Sequence, residues 1–111
     1  MTNQEYVDLM CKRFDEAKNT FIRKNVQYAV GDDPFANFRT SALLNSGSDG
    51  YEDMYAELKY FMAKHIAHVY NNDINGNKVD ESLDDIAVYC MIALSMHELF
   101  WEEQVKLFHE A

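Results

Sequence analysis

Proline occurs once and glycine four times in 111 residues, too few for a turn-rich β architecture or a flexible linker. Strand-like alternation, internal repeats and low-complexity runs are also missing, which leaves helix as the regular structure the pattern supports. Only two cysteines occur, Cys11 and Cys90. Each sits in an apolar helical pattern without Cys-x-x-Cys or Cys/His finger spacing, so buried, reduced thiols are expected. No apolar run approaches the ~18 residues of a membrane span, and MTNQEYVDLM at the start lacks the basic and apolar stretches of a signal peptide. These features point to a cytoplasmic protein. Basic residues are scarce as well: 10 against 19 acidic ones give a net charge of −9, a field that repels phosphate backbones and anionic bilayers. Nucleic-acid polymers and membranes are therefore not expected partners.

What is abundant is apolar: 48% of residues are apolar and 14% of all residues are aromatic, enough for one core in a single domain spanning residues 1–111. From Asn3 to Lys24, Tyr6, Val7, Met10, Phe14, Ala17, Phe21 and Ile22 recur at three-to-four spacing, with Glu5, Asp8, Lys12, Asp15 and Lys18 between them. This predicts an amphipathic helix, with Thr2 or Asn3 able to cap it. The Val30-Gly31-Asp32-Asp33-Pro34 turn ends that helix. Pro34 then opens a short helix, Phe35 to Leu44, with Asp33 as its cap and Phe35, Phe38 and Leu43 as anchors. Asn45 to Gly50 is a polar loop and the most mobile-looking stretch.

Two strongly periodic segments follow. In Tyr51 to Asn71, Met54, Tyr55, Leu58, Phe61, Met62, Ile66 and Val69 share a face; Asn71 to Lys78, with Gly76, forms the turn. The last helix, Asp80 to Glu103, is capped by Asp80 or Ser82 and is apolar nearly all round from Leu83 to Leu99. Such a helix is either central or shared with another subunit, so a homo-oligomer is expected. The fold class is all-α: a small bundle of three long helices and one short one, completed by oligomerisation.

Charged residues interrupt the apolar faces of these two helices, which are expected to pack face to face. At 100° per residue His65 projects between Met54, Leu58 and Val69, with Lys64 and His68 beside it. Asp85 falls with Tyr89, Ile92 and Met96, and Glu81 with Val88, Ile92 and Leu99. An unpaired buried carboxylate costs several kcal/mol, so Asp85 needs a partner. An imidazolium–carboxylate pair is the structural reading. A metal set of His65, His68, Asp85 and Glu81 would suit zinc, manganese or iron more than magnesium. Anion recognition would use Lys64, His65 and His68, assisted by Lys59, Lys24 or Arg39. A second register would set Glu52, Asp53 and Glu57 against Glu81, Asp84 and Asp85, although acids at a helix start are also explained by its dipole. In the loop, Tyr28, Phe35, Asn37, Phe38 and Arg39 offer rings, an amide and a guanidinium that suit a nucleotide base. Alternatively, both phenylalanines are core anchors and Arg39 pairs with Asp32 or Asp33.

Three stretches carry a family resemblance: Lys24-Asn25-x-x-Tyr28 through Asn37-Phe38-Arg39, Met62-Ala63-Lys64-His65-Ile66, and Asp80 to Tyr89. The chain resembles the all-helical nucleotide pyrophosphohydrolases related to MazG, in particular the phage-encoded branch of nucleotide-modification-associated domains. In active relatives, Glu-Glu-x-x-Glu on one helix and Glu-x-x-Asp on the next hold magnesium against the substrate's phosphates, and a metal-activated water hydrolyses them. Laid onto this chain, the family Asp falls on Asp85, its preceding acid on Ser82, and the three Glu on Lys64, His65 and His68. One of five acids is kept.

The resemblance thus implies a phage-type protein that binds, and in one version sequesters, a nucleotide or nucleotide-derived molecule between helices, as an anti-defence sponge for a signalling nucleotide would. Phosphate would meet Lys64, His65, His68 and Arg39; base or ribose would meet Tyr28, Asn37 and Asp85, with a second subunit able to close the cleft. The alternative is a nucleoside triphosphate pyrophosphohydrolase dependent on Mg or Mn, with Asp85 and Glu81 as ligands.

Overall fold

The structure is a computed structural model that describes residues 1–110 and contains four helices: α1 (Asn3–Tyr28), α2 (Ala36–Ser46), α3 (Tyr51–Tyr70) and α4 (Val79–Glu110). The all-helical bundle read from periodicity is therefore observed. No helix among the described residues is long and apolar enough to cross a membrane.

Helix α1 starts at a capping box: the Thr2 hydroxyl accepts the Glu5 N–H and the Glu5 carboxylate accepts the Thr2 N–H. It continues four residues past Lys24, because the first true breaker is Gly31, at φ 58°, in a turn closed by reciprocal Val30–Asp33 backbone bonds of 3.1 Å. Asp33 does not occupy the N-cap of α2, which is Phe35. Its carboxylate instead accepts the Phe35 N–H at 3.0 Å from two residues back. Phe35, Phe38 and Ala42 form the buried stripe of α2, while Leu43 is exposed, so the third anchor is Ala42. Asn45 and Ser46 belong to the helix, which stops at Gly47 in the left-handed region (φ 78°).

Helices α3 and α4 form an antiparallel hairpin. His65 and His68 lie beside Ser82 and Asn77, and the start of α3 lies beside Leu94 to Phe100. Asp80 and Ser82 sit inside the first turn of α4 rather than capping it. The core joins Tyr28, Phe38, Met54, Leu58, Tyr89, Ile92 and Met96, with α4 in contact with both α1 and α3.

Burial is uneven. Tyr55 and Ile66 on α3 are about half exposed, and Tyr6, Val7, Phe14, Phe21 and Ile22 on α1 keep 41–63% of their surface open. Both cysteines are free and exposed, contrary to the burial expected of them. Cys11 lies on the exposed first part of α1, and Cys90 faces a groove between α3 and α4.

Candidate functional site

A polar cluster forms where α1, α3 and α4 meet. Thr20, Lys24 and Tyr28 stand one turn apart on α1, and Ser82, Asp85 and Tyr89 share a face of α4. The Lys24 ammonium is ion-paired with Asp85 Oδ1, and His65 Nε2 lies 3.5 Å from Asp85 Oδ2. His65 Nδ1 is 3.5 Å from the Ser82 hydroxyl. Thr20 donates its hydroxyl proton to Asp84, and the Tyr28 and Tyr89 hydroxyls are 3.2 Å apart. Asp85 thus has a cation on one oxygen and an imidazole on the other, with only 16% of its side chain exposed. That is the partner its burial requires.

The imidazole of His65 is held below its ordinary pKa. Loss of solvent on burial is the main cause; Asp85 opposes it, and Lys64, Lys24 and His68 reinforce it. The ring is accordingly neutral at pH 7, and the tautomer protonated at Nε2 suits both neighbours, turning its N–H towards the Asp85 carboxylate and its Nδ1 lone pair towards the Ser82 hydroxyl. Burial, reinforced by the Tyr28 hydroxyl, pushes the Tyr89 phenol well above its usual range, so it stays protonated.

Of the side chains expected to bind a ligand, Tyr28, His65 and Asp85 come together here. Lys64 is exposed one residue away. His68 Nε2 is 2.7 Å from the Asn77 carbonyl oxygen, where it pins the turn between α3 and α4. Arg39 is elsewhere: its guanidinium bonds Asp33 at 2.9 Å and Asp49 at 3.4 Å, tying both loops around α2 together. About 20 Å of helix separates Tyr51, beside that pair, from His65. Arg39 therefore does not join the phosphate set, and the ion-pair reading of it holds. Asn37 is exposed on α2, and Phe35 and Phe38 are core anchors.

The metal set is not assembled. Glu81 is exposed rather than turned into the core, because it stands at the edge of the α4 stripe in its first turn; Asp84 is the neighbour that turns inward. Among the described residues no three His, Cys, Asp or Glu side chains converge. The second acidic register is not assembled either, since Glu57 is buried towards α2 and accepts from the Asn45 amide at 3.0 and 3.1 Å, whereas Asp84 faces α1. With Asp85 already facing an ammonium, this donor set does not fit Mg, Mn or a transition metal.

Two clefts flank α4. One, of about 420 Å³, lies against the start of α3 and is lined by Tyr55, Cys90, Leu94, His97 and Phe100. The other, of about 310 Å³, lies against α1 and is lined by Phe21, Tyr28, Phe35 and Met91, with Asn25 and Ser95 as polar members. Tyr28 belongs to both places: its ring walls this second cleft and its hydroxyl ends in the cluster. Lys24, Ser82 and Tyr89 are the members that periodicity undervalued. The available signal was a lysine at the one-turn spacing between Thr20 and Tyr28.

Comparison of the chain with family models, with curated proteins and with solved structures gives no match.

Proposed function

We propose that this protein binds a nucleotide or nucleotide-derived small molecule without hydrolysing it, the base entering the slot beside Tyr28 and the phosphate turning towards Lys24, Lys64, His65 and His68. The observation that carries this reading is the double role of Tyr28, which joins an aromatic slot to the half-buried Lys24–Asp85–His65 cluster. The slot offers ring faces for a planar heterocycle, with the Asn25 amide and Ser95 hydroxyl as polar contacts for its edges. Binding rather than cleavage is favoured because the acids a magnesium-dependent hydrolase needs are replaced or turned away. The family resemblance supplies the class of ligand, and sequestration is the role that fits a binder without turnover.

The test is a thermal-shift screen of mono-, di-, tri- and cyclic nucleotides. A ligand at 100 times its dissociation constant stabilises by about 2.7 kcal/mol, and Lys24→Met should abolish that gain. Affinity should rise as pH falls below about 6.5, because a bound phosphate favours the imidazolium that burial disfavours. A panel in which no nucleotide raises the melting temperature would sink the reading. Release of pyrophosphate in the presence of Mg or Mn would replace it with the hydrolase.

A further inference from the structure

The structure leaves two apolar seams without a partner, one at each end of the molecule. On α1, Val7, Met10, Phe14, Ala17 and Phe21 repeat at alternating steps of three and four, and Lys24 and Tyr28 continue the same stripe into the cluster. On α4, Met91, Leu94, Trp101, Val105 and Phe108 do the same, with Glu98 at the one polar step; the five apolar members are 51–80% exposed. A strict seven-residue repeat of this kind is the pattern by which one helix seats its side chains into another.

The seams overhang in opposite directions. Thr20 meets Asp84, Lys24 meets Asp85 and Tyr28 meets Tyr89, so α1 and α4 run the same way and only the last third of α1 is held. The rest of α1 projects beyond the start of α4. At the other end, α4 passes the start of α3 near Phe100, and all of Trp101 to Glu110 is exposed. The resulting body measures 56 × 30 × 25 Å with a radius of gyration of 16.8 Å, against about 13 Å for a compact domain of this length.

We propose that a second copy of this chain covers both seams, in an antiparallel dimer where the first half of α1 from each copy lies along the last third of α4 from the other. A twofold axis between two such bodies brings each overhang beside its counterpart, so the contact closes at two copies. The repeats match in one antiparallel register: Val7 over Phe108, Met10 over Val105, Phe14 over Trp101 and Ala17 over Glu98, each residue facing its counterpart on the partner subunit, while Phe21 stays with its own chain's slot. The single charged step thus meets the smallest residue of the opposing stripe. Both overhangs carry charges of either sign, with Glu5, Asp8, Asp15 and Glu16 beside the bases of α1, but in this register Lys12 and Arg13 stand level with Glu103 and Glu102 of the partner subunit. The seven apolar side chains paired in this register offer on the order of 100 Å² each, about 700 Å² per chain and about 1,400 Å² over two copies. Stable dimers bury about 1,200–2,000 Å² in total. The pairing stands whether or not a nucleotide binds.

Light scattering and sedimentation of the full chain should give twice the 12.9 kDa chain mass, independent of added nucleotide. Phe14→Glu and Trp101→Glu alter side chains that are exposed in the single chain, so each should yield a monomer with unchanged helical circular dichroism. To fix the register, Cys11→Ser/Cys90→Ser carrying Met10→Cys is mixed with the same background carrying Val105→Cys; oxidation should give the mixed dimer in preference to either like pair. A wild-type monomer at all concentrations, a dimer that survives both glutamates, or preferential Val105→Cys self-crosslinking would each overturn the proposal. The first would leave the seams to a different protein, and the last would mean that α4 pairs with α4.

Discussion

At the scale of residues, the Lys24–Asp85–His65 cluster is a charge arrangement whose parts report on one another. Lys24 competes with the His65 proton for Asp85, so Lys24→Met should raise the His65 pKa, as read by the pH dependence of its ring proton shifts in NMR. An unchanged or lower value would mean that the ammonium does not act on the ring. The same group sets a slope in stability. Its pKa is lower in the folded chain than in the unfolded one, so unfolded chains bind more protons near and below pH 6.5. Stability is then full above that value and falls as the solution is acidified through it, and His65→Gln should flatten that part of the profile in urea titrations. Asp85 was legible in the sequence because an acid on the Tyr89, Ile92 and Met96 stripe has to be buried. Glu81 was misread, since a helical wheel describes one helix alone and cannot show that its first turn lacks a neighbour on that side.

At the scale of elements, α2 is the piece most tightly specified for its size. Phe38 is fully buried against Tyr28 and Phe61, with ring centroids 5.4 Å from each, while Arg39 on the next position clamps the loops on either side. Phe38→Ala should lower stability by about 3–5 kcal/mol in chemical denaturation, the range for removing a buried aromatic ring. Gly47→Ala should cost about 1 kcal/mol, because its nitrogen closes the helix onto Leu43 in a backbone region that alanine avoids. The four helices were readable because apolar spacing and a handful of breakers agree on where they lie. What spacing could not supply is whether a stripe has a partner. The repeat from Val7 to Tyr28 looks continuous in the sequence, yet only its last third is covered within one chain, and Leu43 and Ala42 exchange roles because the tilt of α2 decides which side meets α3.

At the scale of the whole molecule, stability must be unevenly distributed. The contacts that hold the chain together gather along α3, α4 and the end of α1, and most of the first five turns of α1 have little to lean on but their own backbone bonds and the Thr2 cap. An unsupported helix of about 15 residues is marginal in water, so in a single chain this segment opens and closes far more often than the core. Hydrogen exchange should then separate the molecule into two clocks, with amides from Glu5 to Ala17 trading deuterium orders of magnitude faster than those around Leu58 and Ile92. Raising the protein concentration should slow the fast clock selectively. The free thiol at Cys11, beside Met10 on that segment, is exposed in a single chain, so its alkylation times docking and not opening: it should be fast in dilute protein and slow once a second copy lies over the seam, a chemical stopwatch on the most loosely held turn of the fold.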